Sequence, residues 1–289
     1  MPDEIQFNIF KFCDLNTKIK LSQMNKQFFE KLQKLIFYDH KINFNNQIRM
    51  YKIHLTKEIK NEIDITDNDL LIIPNIEILK LDSHIYFYFD IRLQEKKITD
   101  NGIKNLPQLN TLNLYRNTII TNEGIQNLLQ LTTLDLSYNN IINDNGIKNL
   151  LQLNTLILAN NYNITKIKHL INLTNLDLSG YSIIDDIELK NLTKLTILNL
   201  ENNNSITNEG LKYVPNLIEL NLTNNKIITN EGLKHLHNLQ KLNLTNNNTI
   251  NIECVKYLPN LIELISCNKT IIKDIKHMMK TIENIADID

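Results

Sequence analysis

The stretch LTTLDLSYNNIINDNGIKNL, Leu131 to Leu150, decides how this chain folds, because its order of Leu, Asn, Ile and Gly returns both before and after it. The first Leu of the pattern L-x-x-L-x-L-x-x-N recurs at Leu109, Leu131, Leu153, Leu173, Leu195, Leu217, Leu239 and Leu261. From 109 to 131 to 153 each step is 22 residues, from 153 to 173 it is 20, and every later step is again 22. Such a period means one small unit per repeat, which buries its apolar face only against its neighbours, so the chain stacks into a solenoid.

Within one coil, Leu131, Leu134 and Leu136 point the same way, and the alternation at 134 and 136 has the period of a short strand with one buried face. Stacked coils turn these strands into a parallel sheet. Asn follows at Asn117, Asn139, Asn161, Asn203, Asn225 and Asn247, where the chain turns and buries backbone groups. A side-chain amide carries both donor and acceptor, so a column of them can serve successive coils. After an Ile comes ITDNGI at 98, ITNEGI at 120, INDNGI at 142 and ITNEGL at 206 and 228. Thr or Asn opening such a segment, with an acid early in the turn, predicts a short helix on the outer side. NITKIKHL at 163–170 lacks two residues of that segment, and Gly180 and Tyr181 stand where the Asn turn is expected.

This consensus and period resemble the leucine-rich repeat. The resemblance implies an α/β solenoid, with a curved parallel sheet inside and short helices or turns outside. About nine coils fill 76–270, and 271–289 closes the array as a capping coil. ITDNDLLIIPNIEIL at 65–79 aligns with ITDNGIKNLPQLNTL at 98–112, so 39–75 reads as a linker ending in a degenerate capping coil. The coil opening at Ile76 runs 33 residues, to 109, which implies an insertion at 84–94. Tyr86, Phe87, Tyr88 and Phe89 lie in it, as a partner's contact loop or as packing against the solenoid or the N-terminal helices.

With 42% hydrophobic and 22% charged residues the chain is not disordered by composition, and a net charge of −1 gives no electrostatic reason to expect nucleic acid or an anionic membrane as partner. Cys13, Cys254 and Cys267 form no CxxC pair, which suits a reducing compartment. No run of 18 apolar residues and no signal-peptide pattern stands in the sequence. Several N-x-T triplets, such as Asn221-Leu222-Thr223, would invite glycans on the sheet in a secreted protein. The expected location is intracellular: cytoplasm or nucleus, or a host's cytoplasm for a viral protein.

Residues 1–38 do not carry the repeat. Ile5, Ile9, Phe10 and Phe12 fall at helical spacing after Pro2, and two further short helices follow, the last holding Phe28, Phe29 and Leu32. MPDEIQFNIFKFCDLNTKIKLSQMNKQFFEKL resembles an F-box without a gap, through Pro2, Glu4, Ile5, Ile9, Phe10, Leu15, Leu21, Met24, Lys26 and Phe28. Met1, Cys13 and Phe28 depart from its commonest residues but stay apolar. An F-box followed by leucine-rich repeats is a known family arrangement. It implies that Pro2, Glu4, Ile5, Ile9, Phe10, Leu15, Leu21 and Phe28 dock on the linker subunit of a cullin-RING ubiquitin ligase. The solenoid would then hold an unknown target protein. A plain protein-binding solenoid capped by helices is the alternative, and a repeat-bearing enzyme would need an added catalytic domain.

No catalytic constellation emerges, so no enzyme activity, cofactor or metal is expected. His235 and His237 sit two apart with no Cys or acid cluster beside them, Asp185 and Asp186 take the helix-capping slots, and Cys254 takes the Gly slot. Outward strand positions form columns: Asn113, Asp135, Ile157, Asp177, Asn199, Asn221 and Asn243, then Tyr115, Ser137, Ala159 and onward. Tyr and Arg are favoured at binding hot spots, so Tyr115, Arg116, Asp135 and Tyr138, continued by Ile157 and Asp177, make the candidate target surface. Heavy use of Asn, Ile and Lys suits an AT-rich genome, so Asn richness alone is poor evidence of function.

Overall fold

The computed structural model describes residues 58–59, 67, 78–80 and 98–266. The helices expected over 1–38, including Pro2, Glu4, Ile5, Ile9, Phe10, Leu15, Leu21 and Phe28, lie outside the described residues, as do Tyr86, Phe87, Tyr88, Phe89 and the cap at 271–289. The chain divides into two compact units, Met1–Ile59 and Lys60–Asp289. In the first, the described residues are the two-residue strand Glu58–Ile59 (β1).

The second unit is the solenoid. Its strands are β2 (Ile78–Lys80), β3 (Thr111–Asn113), β4 (Thr133–Asp135), β5 (Thr155–Ile157), β6 (Asn175–Asp177), β7 (Ile197–Asn199), β8 (Glu219–Asn221), β9 (Lys241–Leu244) and β10 (Glu263–Ser266). From β2 to β10 they pair parallel, each with the next in the chain. The register carries the repeat arithmetic into space. Ile78 meets Thr111 across the long coil, Thr155 meets Asn175 across the short one, and elsewhere the partners are 22 apart, as Thr111 and Thr133 are.

Each coil has one apolar wedge. Leu131, Leu134, Leu136, Ile142, Ile147 and Leu150 lose all their accessible surface, and the equivalent residues of neighbouring coils do the same. Each buried Leu or Ile contributes about 1.5–3 kcal/mol of transfer free energy, all of it conditional on the next coil being present.

Two polar ladders then hold the coils in register. In the first, the buried Asn139 donates from Nδ2 to the carbonyls of Leu114 and Asn117 in the preceding coil, at 3.3 and 3.0 Å. Its Oδ1 accepts from the amides of Ile141 and Ile142, both at 3.0 Å. Asn161, Asn225 and Asn247 repeat this arrangement.

The second ladder runs along the outer side. Helices α1 (Asp100–Ile103), α2 (Asn122–Ile125), α3 (Asp144–Ile147), α4 (Asn208–Leu211) and α5 (Asn230–Leu233) are single turns. Thr121 caps α2, its side chain accepting from the Glu123 amide. The Asp100 carboxylate of the coil before accepts from the Thr121 amide at 2.8 Å and from its hydroxyl at 2.6 Å. Asp186 serves Thr207 in the same way. This ladder explains the Gly of T-N-E-G. A Cβ on Gly124 would stand 2.4 Å from Asp100 Oδ1.

Two coils keep the full-length segment without that Gly and answer differently. Asp186–Leu189 and Ile252–Tyr257 are 3-10 helices, with Glu188 and Cys254 in the Gly slot. Asp185 is the cap of the first, accepting from the Ile187 amide.

At the end of each strand one residue takes positive φ: Arg116, Tyr138, Asn160, Gly180, Asn202, Asn224 and Asn246. Gly180, with φ of 72°, is thus the counterpart of Tyr138, and Tyr181 alone displaces the buried Asn. Tyr181 swings outward, 68% exposed, and Ser182 Oγ takes over the acceptor role toward the Ile184 amide. Asn203, next along the ladder, bonds to the Leu178 carbonyl at 2.8 Å.

Candidate functional site

The outward face of the sheet is built from two residues per strand, flanking one buried Leu. The row at 113, 135, 157, 177, 199, 221 and 243 is largely spent on the fold. Asn113 Oδ1 accepts from the Tyr115 amide, and Asp135 Oδ1 accepts from the amide and hydroxyl of Ser137 at 2.9 and 2.6 Å. Asp177 Oδ1 accepts from the Ser179 amide, and its Oδ2 accepts from Asn199 Nδ2 at 2.9 Å. These Asx turns lead the chain into the positive-φ residue that follows. Asp135, Ile157 and Asp177 are register neighbours on β4, β5 and β6, so these three residues form one continuous row. Ile157 alone among the three makes no such turn with its side chain.

Tyr115, Arg116 and Tyr138 come together at the strand ends of the coils opening at Leu109 and Leu131. The Tyr115 and Tyr138 rings meet edge to face, with centroids 5.5 Å apart and planes at 71°. The Arg116 guanidinium carbon lies 5.2 Å from the centroid of Tyr115 and 4.8 Å from that of Tyr138. Both distances are within cation–π range. Tyr138 is 41% exposed.

The second outward row escaped the sequence reading: Thr111, Thr133, Thr155, Asn175, Ile197, Glu219, Lys241 and Glu263. Its signal was available, since these residues lie two before the Asx row and share its face. At its far end Glu219, Lys241 and Glu263 are register partners on β8, β9 and β10. Lys241 Nζ donates to Glu219 Oε1 at 2.7 Å. That hydrogen bond, with the Glu219 charge behind it, holds the Lys241 ammonium above its ordinary pKa. A shallow trough of about 270 Å³ runs over β7 to β10 here, floored by Asn199, Asn221 and Asn243.

His235 and His237 are exposed. Burial pushes the Cys254 thiol up to about 11, the opposite of an activated nucleophile. The described residues hold no group of three or more His, Cys, Asp or Glu placed for a metal, and no helix long and apolar enough to cross a membrane.

The chain therefore carries leucine-rich repeats folded as a parallel-sheet solenoid. A sequence profile of the Leucine Rich repeat matches residues 131–151, 191–214 and 215–236. Among solved structures the chain is similar to an internalin (inlF) from Listeria monocytogenes, with 25% identity and a TM-score of 0.52 over 78% of this chain. It spans 65% of that internalin's length. It is also similar to internalin C2 (inlC2) of the same organism, with 26% identity and a TM-score of 0.50, covering 70% of this chain and 84% of the other. A comparison with curated proteins gives no match.

Proposed function

We propose that this solenoid is a non-enzymatic, protein-binding scaffold whose concave face takes the target, with Tyr115, Arg116 and Tyr138 as its anchor. The supporting observation is a broken local rule. The positive-φ position is Asn at 160, 202, 224 and 246 and Gly at 180, the residues that tolerate it, but Arg at 116 and Tyr at 138. A bulky residue there costs on the order of 1–2 kcal/mol, and such outliers collect at binding sites. Here they set two aromatic rings and a guanidinium side by side, the side-chain types that dominate interface energetics. The test is capture by the immobilised chain, comparing wild type with Tyr115→Ala/Tyr138→Ala and with Glu209→Ala/Glu231→Ala on the outer side. Loss of the same identified partner in the first variant only supports the site; equal capture by all three removes it.

A second reading is favoured by the gapless F-box resemblance of residues 2–28. In it the chain is an intracellular adaptor of a cullin-RING ubiquitin ligase, and the solenoid holds the target near the charged enzyme. Catalysis belongs to other subunits, and this chain supplies proximity, converting a rare encounter into an effectively intramolecular one. Pull-down of the purified linker subunit by the intact chain, lost in Pro2→Ala/Ile9→Asp, supports this role. No binding by a folded intact chain sinks it and leaves the plain scaffold.

A further inference from the structure

The far end of the concave face has a built geometry unlike the Tyr–Arg end. Asn221 and Asn243 are register neighbours on β8 and β9. Asn221 Oδ1 accepts from the Thr223 amide and hydroxyl at 3.0 and 2.7 Å, and Asn243 Oδ1 accepts from Thr245 in the same way. The turn thus holds the Oδ1 of each amide and leaves its Nδ2 without a hydrogen-bond partner among the described residues. Two adjacent donors left in this way are suited to a backbone that cannot satisfy its own carbonyls.

Beside them, Glu219 and Glu263 flank Lys241 along the second row. Glu219 spends Oε1 on Lys241, which leaves Oε2. Glu263 is exposed; its carboxylate makes no hydrogen bond or ion pair among the described residues, though its charge helps to raise the Lys241 pKa. Over residues 98–266 the outward sheet face carries five acids, Asp135, Asp177, Glu201, Glu219 and Glu263, against two bases, Arg116 and Lys241. Two strand spacings put the backbones of Glu219 and Glu263 about 9.5 Å apart. Three residues of polyproline II rise about 9.3 Å, return to the same side, and make no internal hydrogen bonds.

We infer that this trough binds an extended, polyproline-type segment of a partner protein bearing Lys or Arg at positions i and i+3. The two cations seat on Glu219 and Glu263, and carbonyls of the residues between them accept from Asn221, Asn243 and Lys241. Ile197, next to Glu219 in register, offers an apolar contact to a flanking proline ring. The inference rests on the reading that the concave face is a protein-binding surface, and it adds the class of ligand.

The experiment uses the full chain and two fluorescent nonapeptides of identical composition, PPKPPKPPG and PPKKPPPPG, followed by anisotropy at low salt. The first is expected to bind at least 5-fold more tightly than the second. Glu219→Gln/Glu263→Gln is expected to cost at least 10-fold, and Glu209→Gln/Glu231→Gln, the same charge change on the outer side, less than 2-fold. Asn221→Asp/Asn243→Asp is the decisive variant. It keeps the turn acceptors, as Asp135 and Asp177 already do, but replaces both donors while adding two negative charges. Weaker binding by this variant supports the geometry. Tighter binding, equal affinity for the two peptides, or no binding by a chain that circular dichroism shows folded, overturns it. Failure of the peptide with capture through Tyr115 and Tyr138 intact condemns the ligand class alone; peptide binding without that capture condemns the Tyr–Arg anchor instead.

Discussion

The Glu188 carboxylate reaches back one coil to Ile167, accepting its amide at 2.7 Å and that of Lys168 at 3.0 Å. These amides are exposed to the core because 163–170 lacks the two residues that would have closed a helical turn. The same deletion makes room for a side chain in the slot that is Gly in α1 to α5. Deletion and substitution are two halves of one adjustment. Glu188→Ala is therefore expected to destabilise by about 1–3 kcal/mol, the cost of leaving buried donors unpaired. Denaturant unfolding measures it, and hydrogen exchange at the Ile167 and Lys168 amides should accelerate more than at the Thr121 amide.

Asn139 has four partners divided between two coils, so its removal should act on stacking rather than on one turn. Asn139→Ala orphans the amides of Ile141 and Ile142 and the carbonyl of Asn117, and leaves the Leu114 carbonyl with the Asn117 amide alone. The expected loss is about 2–4 kcal/mol, a few times the net worth of one hydrogen bond. Asn203→Ala, beside the break at Tyr181, should cost less, since one of its inter-coil bonds is already missing. Equal losses in the two variants would contradict the ladder.

The coil boundaries, the register, the Asn column and the capping Thr were all legible in the sequence, because each follows from a period imposed by stacking. The exceptions were only half legible. Glu188 stands out as a charged residue in a Gly slot, yet its partners depend on a deletion in the coil before. The Asx role of Asp135 and Asp177 was hidden because a strand's outward column looks the same whether its carboxylates meet a ligand or their own chain. Glu219, Lys241 and Glu263 stand 22 residues apart in the chain, and only register shows that their charges are adjacent.

Cys254 offers a pH test whose sign is fixed by burial. Its thiol is pushed up to about 11 from the usual 9.0, chiefly by desolvation. Below pH 9 the thiol is protonated in both states and its contribution to stability is fully present. As pH rises from 9 through 11 the unfolded chain ionises first, and up to about 2–3 kcal/mol is lost. Cys254→Ala should lack this component, so the gap between wild type and variant must change across that window and stay constant from pH 6 to 8. Alkylation of Cys254 at neutral pH should likewise require unfolding.

Tyr138→Asn sets strain against contact. The substitution gives the positive-φ position the residue found at 160, 202, 224 and 246, relieving on the order of 1–2 kcal/mol. It also removes the edge-to-face contact with Tyr115 and the Arg116 cation–π contact, about 0.5–1 kcal/mol each at an exposed site. These terms nearly cancel, so the unfolding free energy should move by less than about 1 kcal/mol. If the ring is there for a partner, binding must fall at least 10-fold in a variant as stable as the wild type. Unchanged target affinity with unchanged stability would show that Tyr138 is a tolerated surface residue, and the anchor would have to be sought elsewhere on the concave face.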